Sequence, residues 1–90
     1  MEIYLDGGIR RGTDVLKAIA LGATAVGLGR AYLHALAVGG EDGVRRLNAI
    51  IKEEFRTNMA LAGAVKVKDI SPHMVNTSRL EKCVTGSVKL

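Results

Sequence analysis

Asp6-Gly7-Gly8-Ile9-Arg10 and Gly27-Leu28-Gly29-Arg30 are two glycine-arginine corners, each placed directly after a short apolar run. The runs, Ile3-Tyr4-Leu5 and Ala25-Val26, have the length and composition of buried strands. Between them, Thr13 to Leu21 is predicted to be a helix. The Thr13 hydroxyl is placed to cap it, and Asp14 sits in the first turn, where the helix dipole favours an anion. Val15, Leu16, Ile19 and Ala20 supply an apolar stripe, and Gly22 is placed to end the helix in a left-handed conformation. The unit is strand, turn, helix, strand.

Such a unit joins parallel strands by a right-handed crossover, so both corners emerge at the same carboxyl-end edge of the sheet. Ligands bind at that edge in parallel α/β proteins. Glycine without a Cβ lets the backbone N–H groups of Gly7, Gly8 and Gly29 approach phosphate oxygens closely. Arg10 and Arg30 would add forked, charged donors to the same anion. A single Asp-Gly-Gly is common in tight turns, and glycines kept only for turn geometry are the alternative reading of each corner. Two corners across one crossover, each followed by arginine, point instead to two halves of one phosphate site.

The remaining chain adds packing surfaces. From Gly43 to Gly63, Val44, Leu47, Ile51, Phe55, Met59 and Ala62 recur at helical spacing, with Arg45, Arg46, Lys52, Glu53 and Arg56 largely on other faces. Asp42 is placed to cap this helix and Gly63 to end it. Val65 to Ile70 is expected to be a turn or short extended piece. Pro72 suits the first position of a following helix, with Met74 and Val75 packing inward. Arg30 to Val38 is expected to form a short helix after the second corner.

The formal charge of +4 is spread along the chain, and two tyrosines and one phenylalanine offer little for stacking on bases, which argues against nucleic-acid binding. Arg10 and Arg30 facing an anion account for part of that charge, whereas Arg11 is expected at the surface or at a helix cap. One cysteine, Cys83, rules out an internal disulfide and fits a reducing compartment. No histidine-cysteine-carboxylate grouping has metal-ligand spacing. Met1 to Leu5 includes Glu2 and runs into the first corner, so no signal peptide is expected, and no apolar run reaches the ~20 residues of a membrane span.

The run Asp6 to Ala18, then Leu21-Gly22-Ala23, Gly27-Leu28-Gly29-Arg30, Ala35-Leu36-Ala37, Gly39 to Val44 and Met59-Ala60-Leu61-Ala62-Gly63, resembles the FMN-dependent α-hydroxy-acid dehydrogenases and oxidases. That group includes glycolate oxidase, lactate oxidase and the flavin lactate dehydrogenases. The resemblance covers most of the chain, the last dozen residues excepted. It implies an α/β fold, the C-terminal quarter of a TIM (β/α)8 barrel: strand seven, helix seven, strand eight, helix eight and the tail. Residues 1–90 would be a partial domain, with 79–90 as a polar tail. By the same resemblance Asp6, Gly7, Gly8, Ile9, Arg10, Gly29 and Arg30 bind FMN, in agreement with the barrel rule that phosphate sites lie in the loops after strands seven and eight. Inosine monophosphate dehydrogenase and the flavin-dependent isopentenyl diphosphate isomerase carry similar corners; Arg10 to Asp14 and Met59 to Gly63 favour the hydroxy-acid group.

The activity implied is oxidation of a 2-hydroxy acid to a 2-oxo acid with hydride transfer to FMN. The family's histidine base and carboxylate-binding arginine lie upstream of the matching segment, so no catalytic residue is assigned in this chain. His34 falls where the family commonly carries an aromatic residue and is expected to pack. His73, after Ser71-Pro72, is expected at the surface. Two parallel strands cannot close a barrel, and 48% apolar composition would leave an open sheet edge and an apolar helix face. The expectation is the C-terminal piece of a larger enzyme, a homo-oligomer when complete, or a truncated remnant that at most binds phosphate. Val88-Lys89-Leu90 is a weak match to the peroxisomal Ser-Lys-Leu address, so the location expected is cytoplasmic or peroxisomal.

Overall fold

The structure is a computed structural model that describes residues 1–79. Cys83, the Val88-Lys89-Leu90 terminus and all but the first residue of the polar tail lie outside the described residues. Strand β1 (Tyr4–Asp6) leads through the first corner to helix α1 (Gly12–Ala20), strand β2 (Ala25–Gly27) and helix α2 (Arg30–Ala62). Two 3-10 turns, Val67–Asp69 and Pro72–Met74, follow. The two strands pair in parallel with Tyr4 opposite Ala25, Leu5 opposite Val26 and Asp6 opposite Gly27. Strand, crossover helix and strand are thus where the apolar runs put them.

The start of α1 differs from the expected Thr13 cap. Arg11 occupies the cap position with extended backbone (φ −134°, ψ 164°), and Thr13 lies inside the helix. Asp14 does the capping, because its Oδ2 accepts from the backbone N–H groups of Arg10 at 3.0 Å and Arg11 at 3.2 Å. A carboxylate in the first turn accepts from two backbone amides at the helix entry and meets the positive end of the dipole, which one hydroxyl cannot do. The other end follows expectation: Gly22 has φ 114° and donates to the Ile19 carbonyl.

Helix α2 carries the two predicted helices as arms joined at Gly40, whose φ of 60° and ψ of −142° break the helical path. The break, rather than a cap at Asp42, starts the second arm. A turn this sharp is open to glycine and strained for other residues. It folds the arms together, so that the Tyr32 hydroxyl donates to Asn48 Oδ1. Gly43 faces the first arm so closely that a Cβ would lie 2.2 Å from the Ala35 carbonyl oxygen. Gly63 ends α2 in the left-handed conformation (φ 89°), and the next N–H, of Ala64, returns to the Met59 carbonyl.

The core lies between α1 and the second arm of α2. Leu16, Ala20, Met59, Ala64 and Ile70 form one buried cluster, against which Met74 and Val75 pack as expected of them. Ile9, Val15 and Ala18 form a second, flanked by Val26, Leu28 and Ile51. Phe55 and Ile19 touch both and tie them into one apolar layer. Of the predicted stripe, Met59 is buried and Val44, Leu47, Ile51 and Phe55 are half-buried, whereas Ala62 is exposed.

The strands are not buried as their composition suggests: Tyr4 is 68% exposed and Leu5 44%. One helix layer covers one side of the pair, and parallel strands of this composition ordinarily have both faces covered.

Candidate functional site

Asp6 and Gly27 are the last paired residues of the two strands, so both corners leave the sheet side by side at its carboxyl end. The first corner turns through Gly7 (φ 96°) and Gly8 (φ 76°), conformations that side chains with a Cβ rarely adopt. Ile9 then fastens the corner by placing its side chain in the second core cluster, 9% exposed. Arg10 follows, its backbone N–H held by Asp14 and its side chain exposed.

The second corner crosses close to the first. A Cβ on Gly27 would come within 3.2 Å of the Asp6 Cβ, so the two strand ends are in near contact. Gly29 occupies the cap position of α2 (φ −108°, ψ −74°), and the first N–H returned within the helix is Leu33 to the Gly29 carbonyl at 3.1 Å. The amides of Arg30 and Ala31 precede it and have no acceptor inside the helix. These ends enclose a cleft of about 910 Å³, within the usual range for small-molecule sites.

All seven sequence-predicted residues, Asp6, Gly7, Gly8, Ile9, Arg10, Gly29 and Arg30, line this one cleft. Gly27, Ala31 and His34 complete the wall. Among the described residues, neither the Arg10 nor the Arg30 guanidinium makes an ion pair, whereas Arg11 is engaged with Glu54. Two free cations against the single carboxylate of Asp6 make the cleft electropositive and suited to an anion. His34 departs from the expected packing role: it is exposed, on the helix face that turns to the cleft. His73 is exposed as expected, its Nδ1 paired with Ser71 Oγ.

Glu54 is a residue whose part the sequence did not disclose. Its Oε1 accepts from the Gly12 N–H at 2.9 Å and its Oε2 from the Arg11 guanidinium at 3.1 Å, across more than 40 residues of chain. With Asp14 on the two preceding amides, this clamp fixes the backbone that carries Arg10. The Gly12 amide, then the Arg11 hydrogen bond, hold the Glu54 carboxyl below its ordinary pKa, while partial burial and the Asp14 charge oppose them. A carboxylate depressed in the folded state stabilises fully above the unfolded value of about 4.3. That contribution is lost as pH falls through the lower folded value. Glu54→Gln is therefore expected to melt at a lower temperature than the parent at pH 7, the difference shrinking toward pH 3. Thermal unfolding followed by circular dichroism at both pH values checks this; a pH-independent difference would contradict it.

Among the described residues no helix is long and apolar enough to cross a membrane, and no group of three or more metal-ligating side chains is assembled.

Residues 1–77 match the model of the FMN-dependent dehydrogenase family. The mouse (Mus musculus) 2-hydroxyacid oxidase 2 is 52% identical over 80 residues, covering 89% of this chain and 23% of that protein. L-lactate dehydrogenase (cytochrome) of Wickerhamomyces anomalus is 46% identical over 77 residues, 86% of this chain and 13% of the relative. In structure, a flavocytochrome b2 variant with sulfite bound superimposes with a TM-score of 0.85 and 42% identity, covering 90% of this chain and 21% of that one. A mandelate oxidase variant carrying a monooxide FMN adduct does so with a TM-score of 0.77 and 52% identity, over 79% of this chain and 23% of that one. The chain thus spans under a quarter of the length of these relatives, and its two strands form part of the TIM-barrel architecture rather than a closed barrel. With a family match that runs from the first residue through the second 3-10 turn, and relatives at about half identity over the same stretch, the chain belongs to the FMN-dependent dehydrogenase family.

Proposed function

We propose that the cleft is the phosphate end of an FMN site, and that the chain supplies the cofactor-binding part of a 2-hydroxy-acid oxidoreductase. The observation that carries this reading is the gathering of both glycine-arginine corners on one cleft, with the Arg10 and Arg30 guanidinium groups uncommitted. The fit is tested by Gly29. Its φ is open to other residues, and a Cβ there would meet nothing in the chain within 4 Å. Without a Cβ, the backbone at Gly29 stays open to a close approach from the cleft it lines. A phosphate held by the backbone amides of the two corners and by the two guanidinium groups would use that access.

In this reading the strands are the seventh and eighth of the barrel, and the first arm of α2 is the short extra helix beside the phosphate loops. Gly7 and Gly8 would bring backbone donors close, Ile9 anchors the loop from the core, Arg10 and Arg30 would neutralise the dianion, and the Asp6 carboxylate would be an acceptor for hydroxyl groups of the cofactor. Bound FMN supplies a two-electron acceptor for hydride from the α-carbon of a 2-hydroxy acid. The base and the arginine that grips the substrate carboxylate belong to the complete enzyme and lie outside this chain.

Titration of the 90-residue chain with FMN and with riboflavin, followed by flavin fluorescence, tests the proposal. Saturable FMN binding, competed by inorganic phosphate and much tighter than that of riboflavin, is expected. Equal affinity for the two flavins would refute a phosphate site.

A further inference from the structure

We propose that His34 is a third phosphate ligand in the cleft, a role that rests on the FMN reading above. It lies one helical turn beyond Arg30, and residues four apart on a helix share a face. Arg30, Ala31 and His34 are the helix residues that reach the cleft wall. The imidazole is exposed, and among the described residues it makes no hydrogen bond or ion pair. Its exposure is toward the cleft, where a ring N–H can meet a ligand.

What His34 faces is defined by the opposite wall. Gly7, Gly8 and Arg10 come from the first corner, with Asp6 beneath them at the strand end. An anion bridging Arg10 and Arg30 would sit in the cleft that the imidazole also lines. A neutral imidazole always retains one N–H donor, and the cation has two, so either form can donate to a phosphate oxygen.

The test compares the parent chain with His34→Phe and His34→Gln in parallel FMN and riboflavin titrations, with circular dichroism on the same samples. Phe keeps an aromatic ring and removes the donor; Gln keeps a donor without the ring. His34→Phe is expected to lose about fivefold in FMN affinity, the worth of one hydrogen bond, with riboflavin affinity and helicity unchanged. His34→Gln is expected to recover part of that loss. Equal FMN affinity in parent and His34→Phe would overturn the role of His34 and leave the FMN site standing. Equal losses for FMN and riboflavin would also overturn it, since the contact would then not be to phosphate. No saturable FMN binding by the parent chain would overturn both readings together.

Discussion

Replacing Arg10 and Arg30 together by alanine is expected to weaken FMN binding about 100-fold while leaving riboflavin binding unchanged. Each guanidinium is free of ion pairs among the described residues, so neither has to be released from a partner before it meets a ligand. A hydrogen bond to a charged group is worth about 1.5 kcal/mol at the low end of its range, the end that suits exposed side chains. Two of them amount to about 3 kcal/mol, or roughly two powers of ten in affinity. Because both side chains are exposed, the loss should shrink as salt is raised toward 1 M. Arg11→Ala is the control: its side chain is spent on Glu54 at 3.1 Å, so its loss should appear in melting temperature more than in FMN affinity. Retention of FMN by the double variant at parental affinity would mean that the cleft does not bind phosphate.

Gly12→Ala is the substitution expected to harm the fold most. A Cβ at Gly12 would stand 2.4 Å from the Phe55 backbone nitrogen and 2.7 Å from the Glu54 backbone carbon, so no side-chain rotation relieves it. The first turn of α1 would have to lift from α2, straining the Gly12 to Glu54 hydrogen bond and the contacts that Phe55 makes with both core clusters. Overpacking of this kind costs about 3 kcal/mol at the upper end of its usual range. Alanine returns at most about 1 kcal/mol through its better helix propensity. The net loss of about 2 kcal/mol should lower the melting midpoint by roughly 10 °C, since 1 kcal/mol shifts a domain of this size by about 4–8 °C. Gly29→Ala gives the opposite pattern. It meets nothing in the chain, so the melting midpoint should hold while FMN affinity falls. Coincident effects of the two substitutions on both measurements would show that the two glycines have one role, contrary to their surroundings.

The helix-strand order was legible because its signals are local. Two apolar runs, a stripe at helical spacing and a glycine at each turn fall within about 30 residues, and near neighbours along the chain are sufficient to form them. The two corners could be joined into one site for the same reason, since the hand of a parallel crossover is nearly invariant. The Thr13 cap failed where two local rules competed. A hydroxyl at one position and a carboxylate at the next both suit a helix start, and the carboxylate prevails because it serves two amides at once.

The chain by itself determined the family, the parallel pair of strands and seven of the residues that line the cleft, because each rests on short-range pattern or on a motif shared with the family. Tertiary structure decided that Glu54 clamps Gly12, that Gly43 lies against Ala35, and that His34 faces the cleft instead of the core. Those three outcomes depend on where one helix crosses another and how sharply α2 bends at Gly40. The crossing is set by the summed packing of Phe55, Met59, Leu16 and Ile9, a long-range balance that no single stretch of residues encodes.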